Sequence, residues 1–463
     1  MPPPDPSYPS LRERRAILLV ATVGSFITPF MGSAVNVALP AIAETFSLDA
    51  VLLSWISTAY LLSAAVFLVP FGKLADIHGR KRVLLAGVIT FALASLLSAI
   101  ATSFTMLLVA RVVQGLGGAM LFSTAVAIVT SVYPPAERGH AIGITVAAVY
   151  LGLSLGPSAG GTLTHFFGWR SIFWSNTILG AGLVALTHWG MHGEWAEARG
   201  EKLDVVGSVI YGVAQFAMVL GLTKLPAPLG IVLLAMGILG LVAFIYWEGR
   251  VAQPVLNLGL FRGNVVFGMS NLAAFINYSA TFGAVFLLSL YLQYIAGFSP
   301  QKAGLILVAQ PIMMALLSPF AGRLSDRIEP RVVASIGMIF SAVGLAMLIT
   351  LGMQTQTGYI VAALLVLGIG FGLFSSPNTN AIMGAVERRY YGVASAITGT
   401  MRLTGQVFSM AAAALIFSIF VGRAKITPEH FAEFLHSVRT AFGLFAGLCV
   451  IGVFVSLARG KVR

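Results

Sequence analysis

Apolar segments of about 20 residues alternate with short polar loops along most of the chain. A helix of that length crosses the roughly 30 Å hydrocarbon layer of a membrane and bonds its own backbone polar groups. The pattern therefore predicts an all-α polytopic membrane protein with fourteen spans. The predicted spans cover residues 16–39, 51–72, 83–102, 105–132, 139–164, 171–191, 205–223, 228–247, 265–295, 301–321, 332–351, 358–384, 391–420 and 438–458.

Composition supports the membrane assignment. Of the 463 residues, 58% are hydrophobic and 10% are charged, whereas about a quarter of the residues in soluble domains are charged. The net charge of +12 would indicate nucleic-acid binding in a soluble protein, but here the Lys and Arg residues lie mainly in short loops, where membrane topology explains them. We expect the lipid bilayer and a small-molecule substrate as partners, with no nucleic acid.

The distribution of basic residues predicts the orientation. An even number of spans places both termini on one side, and 20 of the 28 Lys and Arg residues fall in loops or tails on that side. Six lie on the other side and two lie within spans. Because cytoplasmic loops carry the excess of basic residues, both termini are predicted to be cytoplasmic in a plasma membrane.

An internal repeat divides the chain. The loop GKLADIHGRKR after span two is matched by GRLSDRIEPR after span ten, so that Gly72 and Asp76 recur as Gly322 and Asp326, 250 residues later. A second pair of similar loops is 253 residues apart, which indicates duplication of a six-helix unit. The predicted organisation is a tail (1–15), a first half (16–192), an inserted helix pair with its linkers (193–262), a second half (263–458) and a tail (459–463).

Four motifs follow one another in the first half. They are NVALPAIAETF after span one, GKLADIHGRKRVLL after span two, RVVQGLGGAM in span four and GLSLGPSAGG in span five. In this order they resemble the major facilitator superfamily, and specifically its fourteen-helix drug:proton antiporter branch. The resemblance implies a secondary transporter whose halves rock around a midplane cavity. No cofactor is implied, and the chain lacks the Gly-rich phosphate loop of ATP-hydrolysing proteins.

The loop after span two combines an acid with several bases at a membrane face, where they can pair with a carboxylate or a helix end. The resemblance implies that this loop latches one conformation of the transporter. That role falls to Gly72, Asp76, Gly79 and Arg80, with Asp326 as the duplicated acid. The alternative is that the basic residues only enforce membrane orientation.

Two arginines lie inside predicted spans, where each costs about 2.5–3.5 kcal/mol on insertion scales. Arg111 is in span four, with Gln114 one turn further on, and Arg402 is in span thirteen. Arg111 could also lie near the interface and extend its charge into water. By resemblance, Arg111 is assigned to proton coupling, and Arg402 is its expected counterpart in the second half.

Span five carries a stripe of small residues. Gly152, Gly156 and Gly160 recur every four residues and share one helix face, with Pro157 and Gly161 beside them. Such a stripe lets another helix approach closely, and the proline leaves a backbone carbonyl without its usual bond. This antiporter motif is interpreted either as a transport element or as ordinary helix packing.

The chain departs from its relatives at one position. They commonly carry an aspartate in span one, nine residues before the proline of the NVALP motif, where this chain has Met31. No span has an acid near its midplane. A cavity with two arginines and no acid favours neutral or anionic amphipathic cargo over quaternary cations. The candidate cavity residues are Thr28, Asn36, Tyr60, Gln114, Tyr150, Asn271, Asn277, Tyr278, Gln310, Asn378, Asn380 and Gln406.

The predicted function is therefore efflux of small amphipathic compounds or drugs by alternating access, with protons as the expected coupling ion. One alternative is a facilitator or uptake permease for a neutral or anionic solute, without proton antiport. A polytopic membrane enzyme would need His, Cys or carboxylate clusters in the spans, which are missing from the sequence. A receptor or scaffold would leave the duplicated loop unexplained.

Overall fold

The computed structural model describes residues 9–225, 227–256, 258–325, 327–387, 391–422 and 426–460. These residues form fifteen α-helices, and a short π-helical segment (Tyr291–Ile295) extends the ninth. The helices are α1 (Leu11–Phe46), α2 (Ala50–His78), α3 (Arg80–Ala99), α4 (Phe104–Val132), α5 (Pro135–Phe167), α6 (Arg170–Gly190), α7 (Val205–Lys224), α8 (Pro228–Glu248), α9 (Val265–Leu290), α10 (Pro300–Leu307), α11 (Ala309–Ser325), α12 (Pro330–Ile349), α13 (Thr357–Gly384), α14 (Tyr391–Phe420) and α15 (Phe431–Ala458).

Fourteen membrane-length segments result, as predicted. Thirteen of them, counted among the described residues, are long and apolar enough to cross a membrane, with α10 and α11 together forming one segment. The fourteenth is α6, whose 21 residues pack against α3 and α1. A helix of that length rises about 31 Å, which is enough to cross the hydrocarbon layer.

Local sequence signals explain where the helices begin. The side chains of Ser10, Asp49 and Ser103 each accept a hydrogen bond from a backbone N–H in the first turn of α1, α2 and α4. Proline opens α8, α10 and α12, where its missing N–H has no consequence. Between α2 and α3, Gly79 has a φ of 116°, a conformation that permits the tight reversal.

The same helix pairs pack in both halves. In the first half α1 packs on α5 and α6, α4 packs on α2 and α3, and α3 packs on α6. In the second half α9 packs on α14 and α15, α13 packs on α11 and α12, and α12 packs on α15. Two six-helix units with one packing pattern therefore account for twelve of the segments, and α7 and α8 form the added pair.

The inserted pair lies beside the place where the halves meet. Helix α8 packs on α7, while α7 also contacts α2 of the first half and α14 of the second. The Gln215 side chain of α7 donates to Thr404 of α14 at 3.3 Å, and the Tyr211 hydroxyl donates to the Ala65 carbonyl of α2 at 3.5 Å. Helix α7 thus touches both halves.

The halves meet along two main helix contacts, α2 with α14 and α5 with α10. We call the face of the bundle that carries residues 73–82 the basic face, and the other the opposite face. Near the opposite face, Ser289 of α9 donates to the Asn36 carbonyl of α1 at 2.8 Å. Gln293, in the π-helical segment, donates to the Val37 carbonyl at 2.9 Å. These bonds hold the halves together on that side.

Candidate functional site

Half-buried side chains from both halves converge midway along the bundle. The first half contributes Phe122 of α4 and Tyr150 of α5, and the second half contributes Tyr278 of α9, Ser375 of α13 and Arg402 of α14. We call these five residues the seam cluster. The hydroxyl groups of Tyr150 and Ser375 are 3.0 Å apart, so a hydrogen bond joins the halves at this level.

Arg402 supplies the charge of the seam cluster. Its guanidinium carbon lies 5.3 Å from the centre of the Phe122 ring, a cation–π contact between the halves. It also interacts with the Tyr278 hydroxyl, as does Ser375. Among the described residues, no carboxylate forms an ion pair with Arg402. The cluster is therefore a cation held by aromatic rings and hydroxyl groups.

Close helix packing places the aromatic residues of the cluster. A Cβ at Gly405 would lie 2.6 Å from the Phe275 carbonyl oxygen, so α14 approaches α9 one turn beyond Arg402. The Tyr278 ring meets the Phe371 ring edge-on, with centroids 5.3 Å apart. Gln406, predicted to line the cavity, is half-buried one turn after Arg402, on the same face of α14.

Arg111 lies in a different environment. It is 1% exposed, its Nε donates to the Ile56 carbonyl at 3.0 Å, and its Nη1 donates to the Gln114 side chain. Gln114 in turn donates to Ser95 at 2.7 Å, and the Tyr60 ring lies 4.4 Å from the guanidinium carbon. Tyr60 of α2, Ser95 of α3, and Arg111 and Gln114 of α4 thus form one network inside the first half.

The repeat does not relate the two arginines to each other. Arg111 is on α4, whose packing corresponds to that of α13, whereas Arg402 is on α14, which corresponds to α5. The expectation that Arg402 is the counterpart of Arg111 therefore fails on position. Arg111 and Arg402 thus lie on helices with different places in the bundle.

Other predicted cavity residues lie at different places in the bundle. Asn36 is 3% exposed, and its side-chain oxygen accepts from Ser57 at 2.9 Å, near the opposite face. Asn277 is fully buried, and neither polar atom of its side-chain amide has a hydrogen-bond partner among the described residues. The side-chain amide oxygen of the buried Gln310 also has no described partner. Of these three side chains, the structure gives a polar partner to Asn36, on α2 of the first half.

Asn378 takes part in a buried contact within the second half. It donates to the Ser270 carbonyl at 3.0 Å and accepts from Arg459 at 2.7 Å. Arg459 follows α15 and is fully buried, and its burial lowers the pKa of the guanidinium to about 10. The group therefore remains charged at neutral pH. Asn378 anchors α13 to α9 and to the end of α15, one turn after Ser375 of the seam cluster.

The glycine motif of α5 faces two partners. Cβ atoms at Gly152 and Gly156 would lie 2.5 Å and 2.9 Å from carbonyl oxygens of α1, and one at Gly160 would lie 2.7 Å from the Ala34 Cα. These three glycines thus pack within the first half. Gly161 instead faces the Pro300 carbonyl of α10, and the Pro157 carbonyl lies against Gly304 there. The second part of the motif joins the halves.

The predicted latch loop is bonded within the first half and to the linker that follows it. The Arg80 side chain contacts Asp76 at 2.7 Å and Glu197 at 2.8 Å, and it also donates to Ser131. A Cβ at Gly72 would lie 3.6 Å from the Ser123 Cβ of α4, so the loop packs closely on α4. The duplicated acid, Asp326, lies outside the described residues.

An acidic linker covers the loop. Residues 191–204 join α6 to α7, and three of their carboxylates reach the basic residues at the ends of α2 and α3. Glu197 binds Arg80, Glu201 binds Lys73, and Glu194 accepts from the Lys81 backbone N–H at 2.8 Å. Two backbone bonds add to this, from Arg80 to Trp195 and from Ala198 to Asp76. The three acids spaced along the sequence GEWAEARGE are the signal that could have predicted pairing of this linker with the basic loop.

Sequence reasoning also missed Glu248, the last residue of α8. It is 3% exposed, and one carboxylate oxygen accepts from the Leu256 N–H at 2.8 Å while the other has no described partner. A side chain at Gly207 would clash with the carboxylates of both Glu248 and Asp204, so the two acids converge there. An acid directly after an apolar span resembles a solvated helix end, so its burial could not be predicted from the sequence.

Known proteins share the sequence pattern of this chain. A sequence model described as Major Facilitator Superfamily matches residues 21–272 and again residues 270–462. The riboflavin transporter RibZ of Clostridioides difficile is 27% identical over 96% of this chain and 98% of its own length. The multidrug resistance protein Stp of Mycobacterium tuberculosis is 31% identical over 90% of this chain and 79% of its own length.

A solved structure has the same fold. A bacterial homologue of the human lysosomal transporter Spinster, in an inward-facing and unoccupied conformation, superposes with a TM-score of 0.68. The alignment covers 97% of this chain and 98% of that one, at 18% identity.

Proposed function

Because the chain belongs to the major facilitator superfamily, whose members are transporters and not enzymes, we propose that it exports small amphipathic compounds in exchange for protons. The observation that carries the proposal is the seam cluster. It is the place where half-buried polar and aromatic side chains of both halves meet, and a ligand bound there would be released when the halves rock apart. The relative Stp, a multidrug resistance protein, supports export of drug-like compounds.

The latch loop supplies the conformational control in this proposal. In the present arrangement Asp76 and Arg80 bond each other, and both bond the acidic linker. Exchange of these bonds for contacts with the second half would favour the other conformation. The proposal includes a plasma-membrane location, cytoplasmic termini, and six-helix halves at 16–192 and 263–458.

Proton flux in proteoliposomes tests the proposal. Purified protein is reconstituted with a pH-sensitive dye inside, and riboflavin or fluorescein is added as the probe compound. Antiport predicts probe-dependent proton movement and accumulation of the probe against its gradient when a pH gradient is imposed. Protein-free vesicles serve as the control.

A facilitator or uptake permease is the second candidate. It is favoured by Met31, an apolar residue with no exposed surface at the position where relatives carry an acid, and by the relative RibZ, which is named a riboflavin transporter rather than a drug pump. A facilitator would equilibrate the probe without proton movement and without accumulation. That result in the same vesicles would replace the antiport proposal.

A further inference from the structure

We infer that the seam cluster is a binding site for an anionic aromatic compound, with Arg402 as the group that binds the anion. The inference rests on the proposed transport function and specifies the substrate class of the same site. It depends on three features of the described residues: the charge of Arg402, the aromatic rings around it, and the position of all five residues between the halves.

The first feature is an incompletely neutralised cation. Arg402 is half-buried in the middle of a span, and its contacts are a ring face and a phenol hydroxyl rather than a carboxylate. A guanidinium presents five N–H donors, of which those contacts use few. Inside a membrane, where water and salt screen poorly, an arriving anion gains a charge-assisted interaction and a cation is repelled.

The second feature is the surroundings of that charge. Phe122 lies on one side of the guanidinium, and Tyr278 and Tyr150 provide two further rings. Flat aromatic rings stack on planar ligands, and the hydroxyl groups of Tyr278, Tyr150 and Ser375 can donate to a carboxylate or sulfonate. The site therefore suits a planar ring system with an acidic substituent.

The third feature is the division of the cluster between the halves. Phe122 and Tyr150 belong to the first half, and Arg402, Tyr278 and Ser375 belong to the second. The hydrogen bond of 3.0 Å between the Tyr150 and Ser375 hydroxyl groups joins the two halves. A ligand that takes over the hydroxyl groups would replace this bond, so that binding reports directly on the contact between the halves.

Arg111 does not share these features. Its donors are bonded to Ile56 and Gln114, it is 1% exposed, and its contacts are confined to the first half. From the sequence alone, both arginines are predicted to contribute their charge to the same cavity. The structure leaves Arg402 as the arginine that a cargo molecule between the halves could reach.

Two dyes with the same ring system test the inference. Fluorescein is anionic and rhodamine 123 is cationic, and both are xanthenes whose anisotropy reports binding to purified protein in detergent. The unmodified protein should bind fluorescein at least tenfold more tightly than rhodamine 123. Arg402→Gln should weaken fluorescein binding about 10- to 100-fold, as expected for loss of a hydrogen bond to a charged group, without weakening rhodamine 123.

Matched variants keep the test specific. Arg402→Lys should give an intermediate affinity, because it keeps the charge but loses the planar fork. Arg170→Gln removes an arginine that also lies over a ring, that of Trp169 at 4.2 Å, but at the opposite face, and it should leave fluorescein binding unchanged.

The outcomes separate the site from the transport function. Equal fluorescein binding by Arg402→Gln and the unmodified protein, or tighter binding of rhodamine 123, would overturn the inference whether or not transport occurs. The same holds if the unmodified protein does not bind fluorescein. If binding follows the expected pattern but proteoliposomes show no flux of fluorescein, the site stands and the proposed export fails.

Discussion

Arg111 and Arg402 are chemically identical residues in membrane spans, and their surroundings differ in almost every respect. Arg111 is enclosed by α2 and α4, and its Nε and Nη1 donate to a backbone carbonyl and a glutamine of the same half. Arg402 is half-buried between the halves against a ring of the other half. An arginine that is buried and bonded within one half contributes to the stability of that half. An arginine with donors to spare at a moving interface can bind a ligand.

The largest effect should come from Arg111→Ala. The substitution leaves the Ile56 carbonyl and the Gln114 side chain without their donor, and each buried acceptor left unsatisfied costs about 1–3 kcal/mol. Thermal unfolding of the detergent-purified protein should show a marked loss of stability and little transport. Arg402→Ala is the control, because it should lower stability by less than about 1 kcal/mol. Similar losses in the two variants would remove the distinction between the arginines.

The next effect concerns the latch loop, which unlike the arginines lies at the basic face. Asp76→Asn keeps the shape but loses the charge that binds Arg80, and a lost contact of about 1–2 kcal/mol would shift the conformational populations about tenfold. Thiol labelling of a cysteine introduced at Tyr150, in a Cys449→Ser background, reports access to the seam cluster. Identical labelling rates with and without Asp76→Asn would exclude a latch role.

A smaller effect is expected for cation transport. The unmodified protein should export quaternary ammonium dyes weakly or not at all, because Arg402 repels them and no acid attracts them. Met31→Asp should raise that flux about fivefold, the value for roughly 1 kcal/mol of attraction. Met31→Leu is the size-matched control and should change nothing. Strong efflux of a quaternary dye by the unmodified protein would show that the charge argument is wrong.

The smallest effect is predicted for the acidic linker. The Glu197 side chain is 66% exposed, so its ion pair with Arg80 is screened by water and contributes less than about 1 kcal/mol. Glu197→Gln should change the labelling rate of the same introduced cysteine less than fivefold. A change as large as that of Asp76→Asn would mean that the linker, rather than Asp76, controls the loop.

The sequence by itself determined the number of spans, the two-fold repeat and the family. Each depends on local periodicity or on the order of motifs. A run of about 20 apolar residues is stable in lipid as a helix, because a helix bonds its own backbone polar groups. The repeat can be recognised from two similar loops 250 residues apart, without knowing how the helices pack. The extra pair α7 and α8 was also predicted, because two repeats of six spans account for twelve of the fourteen predicted spans.

Only the tertiary structure decided which polar residues meet. Arg111 and Arg402 look alike in sequence because each is an isolated charge in an apolar helix, and burial depends on neighbours that are distant in the chain. Tyr150 lies 225 residues from its partner Ser375, and Glu197 lies 117 residues from Arg80. Such contacts are fixed by how the helices rotate and cross. The pattern along a single helix records which face is apolar but not which helix will cover it.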